Sequence, residues 1–259
     1  MSHSVQHRRH AKYGWLPDLP DGRDLLYAAP FESLQTLPLS VDMRPLCPPV
    51  YDQGDLGSCT ANAVGGNVQF LWRMQKSHDI VPSRLFIYYV ERMIEGAIGY
   101  DSGAMLRDGI KAVAKYGAPP ETDWPYDIAK FTVRPPANVW TEALLEQALR
   151  YARVQRSLSQ MKGCLASGFP FVFGFSVYDS FESQQVADTG VVPMPQHGER
   201  LLGGHAVMAV GYDESQRRFI VRNSWGAAWG MSGYFSMPYA YLTDSGLSSD
   251  FWTIRLMET

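Results

Sequence analysis

Long apolar runs are missing from this sequence of 259 residues. No stretch approaches the roughly 18–20 consecutive apolar residues that a membrane-spanning helix needs. The N-terminus, MSHSVQHRRHAKYGW, carries basic side chains but neither an apolar core nor a small-residue cleavage motif, so no Sec-type signal peptide is expected. That points to a cytoplasmic protein, or to export by another route. Strong charge is missing too. A net charge of −3 gives no electrostatic case for a nucleic-acid or membrane partner. Cysteine is scarce, with only Cys47, Cys59 and Cys164, which excludes a disulfide-built scaffold. If Cys59 stays a thiol, Cys47 and Cys164 are left either to pair or to sit as small buried apolar residues. His-Glu-x-x-His and Cys-x-x-Cys motifs are absent. His3, His7 and His10 have helical spacing but no carboxylate or cysteine partners, and are expected to form a solvated tail. No metal and no cofactor is expected.

What is present is an ordinary globular composition, 46% hydrophobic, long enough for one large domain or two lobes. Residues 1–37 stand apart as an N-terminal extension. They hold Pro17, Pro20 and Pro30 and lack hydrophobic periodicity, so an extended strap is expected there. A strand is predicted over Leu39–Met43, then a Pro-rich loop. Apolar residues Ala61, Val64, Val68, Leu71 and Trp72 recur at steps of three and four and predict a helix from Ser58 to about Gln75. Gly65 and Gly66 inside it cost helix propensity, roughly 1 kcal/mol each, and imply close approach of another backbone. Further helices are predicted over Ser83–Ile94, Ala104–Lys115 and Thr141–Arg150. Strands are predicted over Phe169–Tyr178, His205–Tyr212, Arg218–Asn223 and Gly233–Met237. Helices first and strands later make an α+β chain.

The chemistry gathers in the run Gln53-Gly54-Asp55-Leu56-Gly57-Ser58-Cys59. It places a thiol at a predicted helix N-terminus, where partial positive charge favours the thiolate. A neighbouring imidazolium would favour it further. His205 lies in a glycine-flanked apolar strand, whereas His78 and His197 sit in polar surroundings. Asn223, in Asn223-Ser224-Trp225-Gly226, has a side-chain oxygen suited to fixing an imidazole tautomer. Trp225 could shield that bond from water. The Gln53 carboxamide, with the Cys59 N–H, suits a developing oxyanion. This set of parts fits acyl transfer through a cysteine thiolate.

Together these residues resemble the papain-like cysteine peptidases, bacterial members included. Similar elements recur at Asp101-Ser102-Gly103, Lys115-Tyr116-Gly117, Trp124-Pro125-Tyr126, His205-Ala206-Val207 and Gly211-Tyr212, so the likeness spans about residues 38–255. His205 falls inside, and Asn223 just beyond, the downstream distance of about 130–150 residues typical of the family. The resemblance implies a two-lobe fold. A mainly helical lobe over 38–152 would carry Cys59. A β-barrel-like lobe over 153–259 would carry His205 and Asn223, its last residues crossing back, with the cleft between. It implies an endopeptidase acting on protein or peptide substrates, as a monomer, with Cys59, His205, Asn223 and Gln53 as the catalytic set. Ser102 and Gly103 would pair with an extended substrate. Gly174, Gly203 and Gly204 would border the pocket for the second residue upstream of the cut, near Trp225. Asp250 or Ser249 would reach its floor, and an inward Asp250 would also admit a basic side chain.

The chain departs from the family's usual pattern at three points. Leu56 and Tyr100 stand where a disulfide is common, and Thr60 where tryptophan is common. Family zymogens carry a far longer pro-domain than residues 1–37. This segment is expected either to cover the cleft as an intramolecular inhibitor or to brace the lobes. Two other functions share the same parts: a catalytically inactive binding module, and an acyl transferase or ligase.

Overall fold

The structure is a computed structural model that describes residues 13–75 and 77–258. The histidines of the N-terminal tail lie outside the described residues. The strap carries three short elements, β1 (Trp15–Leu16), β2 (Leu26–Tyr27) and α1 (Phe31–Gln35), followed by β3 (Ser40–Asp42). The helices come next: α2 (Cys59–Gln75), α3 (Arg84–Glu95) and α4 (Leu106–Tyr116), with the two-residue β4 (Ala104–Met105) before α4. Then come α5 (Ala137–Ala143), β5 (Ala148–Val154), α6 (Leu158–Ala166), β6 (Phe171–Tyr178) and α7 (Gln184–Thr189). The chain ends with β7 (Leu201–Asp213), β8 (Arg218–Arg222), β9 (Tyr234–Pro238), α8 (Tyr239–Thr243) and β10 (Ser248–Met257).

Every residue of α2 from Cys59 to Trp72 is buried. A helix covered all round belongs at the centre of a molecule. Here α3 and α4 cover one side, and β6, β7 and β10 the other. Ser83 caps α3 by accepting from the Phe86 N–H, and Gly96 ends it in the left-handed conformation, the usual stop. The two α2 glycines make room for side chains, not for a backbone as expected. A β-carbon at Gly65 would press on Arg84 and Pro82, and one at Gly66 would touch Arg222 and Met208.

The large sheet runs β2-β5-β10-β6-β7-β8-β9, with β3 pairing β7. It is open: β2 and β9 are its ends among the described residues, so it does not close into a barrel. One expected helix is displaced. The span 141–150 holds the end of α5 and the start of β5, a strand whose burial does not alternate: only its end residues Ala148 and Val154 are buried. Strand β10 pairs with both β5 and β6, so the C-terminal residues lie in the middle of the sheet. Cys47, Cys59 and Cys164 are all buried free thiols.

Two strands of the strap are tied to the body. β1 pairs parallel with β4, and β2 pairs parallel with β5. The strap is therefore paired with the body at two places.

Candidate active site

The loop before α2 is fixed to the loop after β8. Gln53 N–H donates to the Ser224 carbonyl (2.9 Å), and Gly226 N–H to the Tyr51 carbonyl (2.9 Å). Arg222 locks the same loop from beneath, donating to the Pro48 and Pro49 carbonyls, both at 2.6 Å. These bonds bring segments remote in sequence into one rigid corner.

Cys59 opens α2 and is wholly buried. The backbone amides of Ala206, Gly14 and Thr60 face its sulfur, and the first of these adjoins His205. Burial pushes the thiol up to about 12, against the pull of those amides. A buried sulfur without water around it stays protonated. His205 Nε2 lies 2.8 Å from the Asn223 side-chain oxygen. Trp225 stacks on the imidazole with ring centroids 4.9 Å apart and planes 28° apart. Gln53 is buried. Its oxygen accepts from Ser224 Oγ (2.7 Å), and its amide donates one hydrogen to the Leu56 carbonyl (3.0 Å). An amide nitrogen has a second hydrogen to give.

The structure thus brings Gln53, Cys59, His205 and Asn223 to one corner, with Trp225 over it. Thr60 is accommodated without an aromatic ring: its hydroxyl donates to the buried Glu91 carboxyl at 2.8 Å. Burial holds Glu91 well above the ordinary carboxyl range. Of the positions that lack the usual disulfide, Leu56 is core and Tyr100 is exposed.

The expected substrate-binding residues meet the strap. Gly14 crosses directly above the nucleophile loop. A β-carbon on it would lie 1.7 Å from the Gly57 carbonyl oxygen, and one on Gly103 would lie 2.2 Å from the Gly14 oxygen. Backbone pairing with the strap falls one residue beyond Gly103, from Ala104 N–H to the Gly14 carbonyl at 2.7 Å. Ser102 instead turns its hydroxyl to the Gly103 carbonyl (2.8 Å). The Trp15 indole lies between Gly174 and Gly204, where β-carbons would come within 1.9 and 2.6 Å of its ring atoms. Asp250 does point inward. Its Oδ2 accepts from Trp15 Nε1 (3.2 Å) and from the Asp18 N–H (2.8 Å), and its Oδ1 from Arg153 (3.3 Å). Ser249 pairs in register with Gly174. On the other side of Gly14, the Tyr13 ring stands 6.2 Å from the His205 ring, and its hydroxyl bonds to Glu182.

Sequence reasoning missed two groups here. One is Ser224, the holder of Gln53. The other is the triplet Tyr13-Gly14-Trp15, whose signal was two aromatics flanking a glycine in an otherwise aperiodic segment.

Known proteins share this chain's sequence and fold. A model of the papain family of cysteine proteases matches residues 37–252. Xylellain, a cysteine protease from Xylella fastidiosa, is 43% identical, with a TM-score of 0.89 over 98% of this chain and 99% of its own. An uncharacterized peptidase C1-like protein of Acanthamoeba polyphaga mimivirus is 42% identical over 94% of this chain and 86% of its own length. The digestive procathepsin L 3 of the Tenebrio molitor larval midgut shares the fold, at 20% identity and a TM-score of 0.72 over 94% of this chain and 75% of its own. The chain belongs to the papain family of cysteine proteases.

Proposed function

We propose that this protein is a latent endopeptidase in which residues 13–16 block the cleft until the strap is displaced. In the open state Cys59 ionises beside His205 and attacks a peptide carbonyl. The oxyanion is met by the Gln53 amide and the Cys59 N–H. His205 then protonates the leaving amine, and later activates the water that hydrolyses the thioester. Asn223 holds the imidazole in register.

The observation that carries the latent reading is the direction of the strap. A substrate must present its leaving nitrogen to His205, so its upstream residues run away from the imidazole, towards the glycine-walled pocket. A productive chain therefore runs from pocket to imidazole. The strap runs the other way, from Tyr13 beside His205 to Trp15 in the pocket. It fills the cleft with a peptide bond presented in the wrong sense for cleavage.

The test uses the full chain. Trp15→Ala removes the anchor ring. Turnover of a short fluorogenic peptide should rise at least about tenfold over the unmodified chain, since a buried aromatic side chain contributes roughly 2–3 kcal/mol to docking. Cys59→Ala in the same background should abolish it. A Trp15→Ala protein that melts normally yet cleaves at the unmodified rate would rule out blocking by the strap.

A further inference from the structure

The strap's own side chain reports what the pocket is built to hold. We propose that the pocket bounded by Gly174, Gly204 and Asp250 selects tryptophan at the second residue upstream of the cleaved bond, by accepting the indole N–H on the Asp250 carboxylate. This rests on the peptidase reading above and names its substrate class.

Two observations carry it, one of shape and one of polarity. The pocket is a slot between two glycine backbones, and the indole lies so close that neither wall could carry a methyl group. Trp15 is only 8% exposed there, so the slot encloses a bicyclic plane, not just the rim of one. The backbone polarity of the strap is reversed, but a pocket that grips a side chain is indifferent to chain direction. Gly14 stands over the nucleophile loop, which makes Trp15 the second position from the sulfur on the acyl side.

Polarity decides among the large side chains. Asp250 is buried, and a buried carboxylate needs donors. The strap supplies two, the indole N–H and the Asp18 N–H. When the strap leaves, Arg153 is the donor the body supplies. A phenylalanine would fill part of the slot and set an apolar edge against the carboxylate. An indole restores the lost bond. Sites built to bond a polar group reject analogues that lack it. A substrate arginine is disfavoured for a different reason: the Arg153 guanidinium already pairs with the same carboxylate, and a second cation would face it. The backbone at Asp250 adds support. It sits at φ +59, a left-handed conformation that aspartate tolerates better than most residues, and this turns the carboxylate into the pocket.

The experiment uses full-length protein carrying Trp15→Ala, which empties the slot. The probes are matched fluorogenic peptides with tryptophan, 1-methyltryptophan, phenylalanine, leucine or arginine at the second upstream position. Tryptophan should exceed phenylalanine in kcat/KM by at least about tenfold, the discrimination expected of one bond to a charged acceptor. The 1-methyl analogue, with the same ring and no donor, should fall to the phenylalanine level. Asp250→Ala should make tryptophan and 1-methyltryptophan equivalent. Should Trp15→Ala fail to fold, Gly14→Val serves instead, because its side chain would collide with the Gly57 carbonyl and lift a strap that keeps its tryptophan. Cleavage with equal rates for tryptophan and its methyl analogue overturns this inference and leaves the peptidase reading intact. No cleavage of any peptide, with Cys59 open to a thiol-reactive probe, overturns both.

Discussion

At the scale of single residues, burial beside the strap favours the protonated Cys59 thiol. The thiolate is the reactive species, and burial pushes the Cys59 thiol up to about 12. Desolvation is the leading cause, so readmitting water lowers the value even though the Gly14 amide leaves with the strap. In the unmodified chain, alkylation of Cys59 by iodoacetamide at pH 7 should be slow and should speed up with rising pH. In Gly14→Val it should run at least about tenfold faster at pH 7, since each unit of lowered pKa multiplies the thiolate fraction by about ten. Mass spectrometry of the Cys59 peptide over time gives both rates. Gln53→Ala, measured in an opened background such as Trp15→Ala, should lower kcat by a factor of about 10² with little change in KM, as loss of one oxyanion donor does. The four side chains of the corner were legible in the sequence because the chemistry proposed for them demands particular residue types. Ser224 was not, because a serine hydroxyl that holds Gln53 by one bond looks like any turn serine.

At the scale of elements, the site depends on two loops that have no regular structure of their own. Arg222, at the end of β8, gives the loop before α2 its shape through two carbonyls. Its guanidinium also lies over the Tyr51 ring, 4.9 Å from the centroid. Arg222→Met would keep much of the bulk and leave both carbonyls without that donor. Each such loss costs about 1–3 kcal/mol. Denaturant unfolding should show a loss of about 2–4 kcal/mol, and an opened variant should also lose kcat as Gln53 drifts. The helical elements were legible for a simple reason. Apolar periodicity marks α2, α3 and α4, Ser83 caps α3, and Gly96 and Gly117 end α3 and α4. The β5 region was not legible because its strand is half exposed and rich in arginine, so local pattern gave no period. Its identity comes from β2 and β10 on either side, partners that lie far off along the chain.

At the scale of the whole molecule, strap and body meet through a cluster of charges with too many carboxylates. The strap brings Asp18 and Asp24. The body brings Arg107, Arg153 and Asp250. Arg107 grips Asp24 at 2.6 Å and Arg153 reaches Asp24 and Asp250 at 3.0 and 3.3 Å. Asp18 accepts from the Arg107 N–H (3.0 Å) and from Trp252 Nε1 (2.8 Å), with Glu95 also near enough to feel its charge. Burial first, and then the Asp250 carboxylate, push the Asp18 carboxyl up from 3.8 to about 6. In the released strap Asp18 is solvated and returns to the ordinary value of about 3.9. The docked state thus binds the proton more tightly than the released one. Docking is strongest below about pH 4, weakens as pH rises to about 6, and is constant above that. The shift of about two units corresponds to roughly 10²-fold in the docking equilibrium. Raising the pH therefore loosens the strap, while acid tightens it. The rate of Cys59 labelling by a neutral epoxide, corrected for thiolate content with a small-molecule thiol, should climb between pH 4 and 6 in the unmodified chain. In Asp18→Asn, which keeps the side-chain shape, gives up one of the two acceptor oxygens and cannot titrate, that climb should flatten. If the two profiles coincide, the latch does not draw its pH response from this carboxylate pair.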